Sequence, residues 1–100
     1  MTYVKICGLR SPGDAEFAVR QGADAIGLAI HPPSPRHVSL DEAREIAAAV
    51  RGQTEIVAFV VDPNAEFVNE LIDTVQPDVL QFHGSETESF CASFGHRYWK

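Results

Sequence analysis

The apolar residues of this chain follow two alternating spacings, that of a strand and that of a helix. Short runs rich in β-branched residues are typical of strands, and the chain contains four of them, at residues 3–7, 25–30, 56–61 and 79–83. Between these runs the apolar residues fall at i, i+3, i+4 and i+7, which indicates amphipathic helices. One such helix carries Val68, Leu71, Ile72 and Val75. The pattern predicts four strand–helix units, and residues 97–100 have the character of a fifth strand.

Local signals mark where these helices begin and end. Ser39 followed by Glu42 has the pattern of a capping box, in which each residue binds the backbone N–H of the other. Pro77 prevents the third helix from continuing. We expect the fourth helix, a short one, to begin at Ser85 or Glu86.

The predicted strands have two unlike faces, because side chains alternate along a strand. One face is aliphatic, with Val4, Ile6, Ile26, Leu28, Ile30, Leu80 and Phe82. The other is small or polar, with Lys5, Cys7, Gly27, Ala29, Gln81 and His83. The third strand is apolar on both faces. A doubly wound sheet is covered by helices on both sides and has nearly continuous apolar strands, so the pattern favours a parallel α/β fold of the (β/α) barrel type.

Composition narrows the function without defining it. Hydrophobic residues make up 45% and charged residues 22% of the chain, which is typical of a folded domain, and we expect a single domain over residues 1–100. The net charge of −6 disfavours nucleic acid and membrane surfaces as partners. No apolar run approaches the ~20 residues of a membrane span, and no secretory signal is recognisable at the amino terminus. Two cysteines are too few for a disulfide framework, so we expect reduced thiols and a cytoplasmic protein.

Two residues of the polar face stand where catalytic groups of barrel enzymes occur. Cys7 and His83 each end a predicted strand just before a glycine, and barrel active sites lie at the carboxyl ends of the strands. The alternative is that both are ordinary strand residues. The other histidines lack the regular spacing of metal ligands, so we expect no metal site. A phosphate loop at residues 8–13 is rejected, because Asp14 stands where lysine is required.

Three motifs, in order and at the right spacing, resemble phosphoribosylanthranilate isomerase, a (β/α)8 barrel family. They are Val-Lys-Ile-Cys-Gly-Leu at residues 4–9, Ser-Pro-Arg at 34–36 followed by Val-Ser at 38–39, and Leu-Gln-Phe-His-Gly at 80–84 with Glu86. The intervening Gly-Ala-Asp-Ala-Ile-Gly at residues 22–27 matches as well. The resemblance extends over all 100 residues but over only about the first half of the family's chain. One departure is Phe82, where the family usually has leucine.

The resemblance implies an activity and assigns roles to several residues. The family converts the aminoaldose N-(5-phosphoribosyl)anthranilate into an aminoketose, an Amadori rearrangement of tryptophan biosynthesis, without metal or organic cofactor. Cys7 matches the general base, and the ammonium of Lys5 on the same face favours its thiolate. Arg36 matches the arginine that holds the anthranilate carboxylate, for which a guanidinium fork is suited. His83 is a candidate for orienting the ribose, with Gln81 and Lys5 as supporting residues of the substrate site.

The same resemblance implies parts that these residues do not include. The family's general acid is an aspartate on the sixth strand, and its phosphate is held by loops after the seventh and eighth strands. We therefore expect negligible isomerase activity from the 100 residues alone, since a (β/α)8 barrel typically needs about 250. The alternatives are an inactive half-barrel that self-associates through its open edges, and a sibling phosphosugar barrel enzyme, against which the Cys-Gly-Leu and Ser-Pro-Arg motifs argue.

Overall fold

Strands and helices alternate along the chain as the apolar spacing predicts. A computed structural model describes residues 2–30 and 37–100. Its strands are β1 (Lys5–Cys7), β2 (Ala25–Ala29), β3 (Glu55–Val60), β4 (Val79–Phe82) and β5 (Tyr98–Trp99). Its helices are α1 (Pro12–Arg20), α2 (Leu40–Val50), α3 (Ala65–Val75) and α4 (Glu88–Ala92). Within the described ranges, no helix has both the length and the apolar character needed to cross a membrane.

The five strands form one parallel sheet in the order β1-β2-β3-β4-β5, which is also their order along the chain. The register places residues of neighbouring strands in rows on one face. One row consists of Cys7, Gly27, Val57 and Val79. The next consists of Ala29, Phe59, Gln81 and Trp99. The predicted polar positions of separate strands are thereby brought side by side.

All four helices pack on the opposite, aliphatic face of the sheet. The core there joins strand and helix side chains, among them Ile26, Leu28, Ile56, Leu80, Phe82, Ala43, Ile46, Val68, Leu71 and Cys91. The helix-free face has only a small apolar cluster, formed by Ala25, Val57 and Val79 with Trp99 against it. The predicted division into an aliphatic and a polar face is confirmed for Ile6, Ile26, Leu28, Ile30, Leu80 and Phe82, but Val4 lies outside the core and is 43% exposed, because it precedes β1. Strands in sequential order with helices on one side are the arrangement of the first half of a (β/α)8 barrel.

Two of the helix boundaries match the sequence signals. Ser39 and Glu42 form the predicted capping box: the Ser39 N–H donates to Glu42 Oε1 at 2.9 Å, and the Glu42 N–H donates to Ser39 Oγ at 3.1 Å. Helix α3 ends at Val75, two residues before Pro77, and Gln76 between them is left-handed with φ 52°.

The predicted start of the fourth helix is wrong by two to three residues. Helix α4 begins at Glu88, and its N-cap is Thr87, whose Oγ1 accepts the N–H of Phe90 at 3.1 Å. Glu86 does not cap this helix, because its carboxylate accepts the N–H groups of Asp62 and Gly84. The residues predicted to begin the helix instead form a contact between two loops.

Phe82 lies at the centre of the aromatic part of the core, although it departs from the family's leucine. Its side chain is 1% exposed, and its ring lies 6.0–6.3 Å from those of Phe90, Phe94 and Tyr98. The phenylalanine ring, which is larger than a leucine side chain, is thus accommodated in the core on the helix side of the sheet, away from the polar face.

Phe82→Ala is expected to lower the free energy of unfolding by about 3–5 kcal/mol, because it leaves a cavity among packed rings. Phe17→Ala is the matched control: Phe17 is 56% exposed on α1, and its truncation is expected to change stability by no more than about 0.5 kcal/mol. Urea unfolding of both variants measures the difference. Equal losses would contradict the placement of Phe82 in the core.

Candidate active site

Cys7 ends β1 on the helix-free face, and its thiol is free and exposed. The strand's short length and its edge position leave the sulfur uncovered. Cys7 is therefore not a buried cysteine. Cys91 fits that description instead: it is fully buried in α4, and burial raises the pKa of its thiol.

Gly27 on β2 makes the space in which Cys7 lies. A Cβ at this position would come 2.8 Å from Cys7 Sγ and 3.0 Å from Lys5 Cε. Both side chains therefore occupy the space directly above the Gly27 backbone. A larger residue at this position would therefore displace the Cys7 and Lys5 side chains, which fits a glycine in the middle of a buried strand.

Lys5 reaches across the sheet from β1 to β4. Its ammonium donates a hydrogen bond to Gln81 Oε1 and lies 5.6 Å from the ring centroid of Trp99 on β5. The sequence predicted Lys5 and Gln81 as residues of one face, and the structure brings them into direct contact. Trp99 was not predicted as a site residue; its signal is the pairing with Gln81, which only the register of β5 reveals.

His83 lies one residue beyond β4, at the carboxyl edge of the sheet. Its N–H donates to the carbonyl of Val60 at 3.0 Å, and its exposed ring packs against Phe59 with centroids 5.0 Å apart. Phe59 was missed because the third strand is apolar on both faces. Lys5, Cys7 and Gln81 are thus brought together, and His83 lies at the edge of the same face. Arg36, the remaining predicted site residue, lies outside the described residues.

The amino ends of the strands carry a different network, on the other edge of the sheet. Glu55 accepts hydrogen bonds from the Tyr3 hydroxyl at 2.7 Å and from Arg97 at 2.6 Å. The hydrogen bond from Tyr3 is the main reason that the pKa of Glu55 lies below its ordinary value. Desolvation, followed by the hydrogen bond to Glu55, raises the pKa of Tyr3 to about 12. The network joins the amino ends of β1, β3 and β5. The exposed Cys7 and His83 lie at the opposite, carboxyl edge.

Asp62 and Asp78 lie near strand ends, but neither carboxylate is free to serve as the general acid that would complement Cys7. Asp78 accepts the N–H of Ile56 at 2.7 Å, at the amino edge, and Asp62 accepts the N–H of Ser85 at 2.7 Å. Both carboxylates have structural partners. Across the described residues, no group of three His, Cys, Asp or Glu side chains is arranged to hold a metal ion.

Consecutive parallel strands, helices on one side, and polar groups at the carboxyl edge of the other side define the site-bearing half of a (β/α)-barrel protein. Sequence comparison gives the particular family. Residues 4–97 match the family described as N-(5'phosphoribosyl)anthranilate (PRA) isomerase. The chain belongs to this family.

Individual relatives agree with the family match. The chain is 45% identical over 97 residues to the N-(5'-phosphoribosyl)anthranilate isomerase of Bordetella parapertussis, a match that covers 97% of this chain and 44% of that protein. It is 46% identical over 98 residues to that of Cellvibrio japonicus, covering 98% and 46%. The chain therefore spans less than half the length of the curated relatives it matches.

Solved structures show the same relation. The phosphoribosyl anthranilate isomerase of Thermotoga maritima superimposes with a TM-score of 0.90 at 34% identity, covering 95% of this chain and 46% of that one. A second structure of such an isomerase, in complex with reduced 1-(o-carboxyphenylamino)-1-deoxyribulose 5-phosphate, also gives 0.90 at 34% identity and covers 95% and 49%. The likeness confirms the fold predicted from the sequence.

The unequal exposure of the two cysteines gives a direct test of the site's geometry. In the native chain, one thiol is expected to react rapidly with a soluble disulfide reagent such as DTNB, and the second only after denaturant is added, because a reagent reaches Cys7 but not Cys91. Cys7→Ser is expected to abolish the rapid phase alone. Two thiols reacting at one rate in the native chain would contradict the placement of Cys7 or of Cys91.

Proposed function

We propose that this chain provides the general base and the carboxylate-binding arginine of an N-(5'-phosphoribosyl)anthranilate isomerase acting in tryptophan biosynthesis. The observation that carries the proposal is the exposed thiol of Cys7 at the carboxyl end of β1, in a chain that matches the family over residues 4–97. Cys7 stands at the position of the family's base. A thiol able to act as a base must stay reduced, so the proposal includes a reducing cytoplasm.

The chemistry requires a base that removes one carbon-bound proton. After the sugar ring of the aminoaldose opens, the nitrogen is joined to C1 as an imine, and the Cys7 thiolate takes the proton from C2. The imine nitrogen carries a proton at this stage; the electron pair of the broken C–H bond forms the C1–C2 double bond while the π pair of the C1–N double bond moves onto that nitrogen, which gives a neutral enolamine. Protonation at C1 and loss of the hydroxyl proton at C2 then give the aminoketose. Hydrogens only change position, so the isomerisation consumes no oxidant or reductant.

The neighbours of Cys7 support this role. Lys5 is the nearest described cation on the same face, and its side chain shares the space above Gly27 with the sulfur. Lys5 thus places a positive charge on the face that carries the proposed base. Gln81 accepts a hydrogen bond from the Lys5 ammonium and so keeps this charge over the helix-free face.

The substrate itself is anionic, and the chain has a net charge of −6. Local cations must therefore hold the substrate against an unfavourable overall field. We assign the anthranilate carboxylate to Arg36, as the family resemblance implies, and place Lys5, Gln81 and His83 along the remainder of the substrate. The general acid and the phosphate site belong to later strands in the family. The 100 residues assayed alone are accordingly expected to give negligible turnover.

A chimera tests the proposal. This chain would replace the matching segment of the Bordetella parapertussis isomerase, with which it shares 45% identity. The chimera is expected to convert the aminoaldose and to support growth of a tryptophan-requiring strain that lacks the isomerase. In the chimera, Cys7→Ala is expected to lower kcat by about 10²–10⁴ while KM changes little, since a base acts in the transition state.

Two measurements make this test decisive. Binding of the reduced product analogue should be the same with and without Cys7→Ala, which shows that the variant is folded. A chimera that folds and binds the analogue but lacks activity would refute the proposed function. An unchanged kcat in Cys7→Ala would remove Cys7 from the role of base.

Arg36→Ala in the same chimera is expected mainly to raise KM, because it removes a charged contact to a part of the substrate that does not react. Losing a hydrogen bond to a charged group costs about 1.5–3 kcal/mol, which corresponds to a roughly 10- to 150-fold increase in KM. Arg36→Lys keeps the charge without the planar fork, so its KM should lie between those of the unmodified chimera and of Arg36→Ala. Steady-state kinetics gives both constants, and an unaltered KM in Arg36→Ala would reject the carboxylate assignment.

The alternative function is a half-barrel scaffold that pairs with a second copy. It is favoured by the edges of the described sheet, where β1 and β5 each have one hydrogen-bonded neighbour, and by Tyr3 and Val4 beside β1, which are 55% and 43% exposed. Unpaired strand edges favour such association. Size-exclusion light scattering of the chain distinguishes the two: a well-folded monomer counts against the scaffold.

A further inference from the structure

A buried carboxylate joins the loops that follow β3 and β4. The side chain of Glu86 is 2% exposed. Its Oε2 accepts the N–H of Asp62 at 2.8 Å, from the loop after β3, and its Oε1 accepts the N–H of Gly84 at 2.9 Å, from the loop after β4. The ammonium of Lys100, next to β5, lies 3.8 Å from Oε1. One side chain thus contacts the carboxyl ends of three neighbouring strands.

The contact between the two loops is reciprocal. Asp62 returns a hydrogen bond, since its Oδ1 accepts the N–H of Ser85 at 2.7 Å. We call the four residues Asp62, Gly84, Ser85 and Glu86 the loop clasp. Three backbone N–H groups, one from the first loop and two from the second, are bound by two carboxylates within it. Such charge-assisted hydrogen bonds are among the stronger ones in proteins.

Two features of the chain accompany the closed clasp. Asp62 has φ 45°, a left-handed conformation that few residues other than glycine adopt and that aspartate tolerates better than most. Gly84 allows the approach of the opposite loop, because a Cβ there would lie 2.5 Å from Asp62 Oδ1. Strained or sterically demanding positions persist where the surrounding contacts fix them.

Burial by itself raises the pKa of the Glu86 carboxyl. The backbone N–H groups of Glu86, Asp62 and Gly84, and then the Lys100 ammonium, outweigh burial and hold the pKa below its ordinary value. The carboxylate is therefore ionised near neutral pH and accepts at both oxygens. The other titratable groups near it are the Asp62 carboxylate, Glu88 and the Cys91 thiol on α4.

The clasp binds the backbone directly after His83 and the loop that follows its hydrogen-bond partner on β3. Gly84, bound by Glu86, is the next residue along the chain, and Val60, which accepts the His83 N–H at 3.0 Å, lies two residues before Asp62. The ring of His83 packs on Phe59 from the same strand end. A shift of either loop would change the direction of the exposed imidazole.

We propose that Glu86 is a positioning residue for His83. By binding the Asp62 and Gly84 N–H groups, its carboxylate fixes the two loops and with them the direction of the His83 ring over the helix-free face. The proposal deepens the proposed function, because it matters for catalysis only if His83 meets the substrate. The geometric effect on His83 does not depend on that function. Its test therefore uses a readout other than activity.

The test compares Glu86→Gln with Glu70→Gln in the 100-residue chain by NMR. Glutamine has the shape of glutamate, but its NH₂ cannot accept an N–H, so one of the two bonds is lost. Glu70 is exposed on α3, and its substitution removes the same charge from the surface. In Glu86→Gln the amide of Asp62 or Gly84 is expected to exchange about 10- to 100-fold faster. Glu70→Gln should leave both amides unchanged.

The decisive signal is the ring of His83. Phe59 lies close enough to shift the His83 ring protons by its ring current, and in Glu86→Gln these protons are expected to move toward the values of an unstructured histidine. The ring of His96, which contacts the carbonyls of Pro77 and Arg97 at 2.9 Å, serves as an internal reference and should not move. Faster exchange together with a moved His83 signal supports the proposal.

Other outcomes overturn it. A variant that is less stable but keeps the His83 ring shifts shows that Glu86 only stabilises the fold. Unchanged amides exclude the clasp itself. If Glu86→Gln does not fold, acid titration of the native chain below pH ~5 decides. The Asp62 and Gly84 amides and the His83 ring must shift with one midpoint, and separate midpoints refute the coupling.

Discussion

The sequential order of the parallel strands determines most of what this molecule presents to solvent. Each strand pairs with the next one along the chain, so every crossover moves across the sheet in the same direction. Because such crossovers are right-handed, all of the helices fall on one face. A reversal of strand order, as in a doubly wound sheet, would have placed helices on both faces. The other face is left free of helices, and the polar side chains of the strands lie there.

The two edges of the sheet then take different tasks. At the amino edge, Asp24 and Asp78 bind the N–H groups of Val4 and Ile56 on neighbouring strands, and Glu55 joins Tyr3 to Arg97. These contacts hold the strands in register. The carboxyl edge carries the exposed Cys7 and His83, with carboxylates only in the loop clasp. Stability and proposed chemistry are thus separated along the strand direction, as in other barrels.

The acidic character of the chain is less of an obstacle to an anionic substrate than the net charge suggests. Four carboxylates each accept a backbone N–H, so their negative charges are stabilised locally; they belong to Asp24, Asp62, Asp78 and Glu86. Lys5 is the cation that the described residues place over the helix-free face. The proposed base therefore lies beside a positive charge, although the chain as a whole is negative.

The sequence by itself determined the alternation of strands and helices, the capping box at Ser39 and the division of strand residues into two faces, because these follow from local spacing along one element. It also predicted Cys7, Lys5, Gln81 and His83 as residues of a site on one face, since their motifs are contiguous. Tertiary structure alone decided the contacts of Lys5 with Trp99, of Phe59 with His83 and of Glu86 with Asp62. Each of these depends on strand register or on two loops meeting, and no spacing along the chain encodes such a meeting. For the same reason the sequence misplaced the start of α4. The prediction placed it at Ser85 or Glu86, but Glu86 binds the loop after β3 and Thr87 caps the helix.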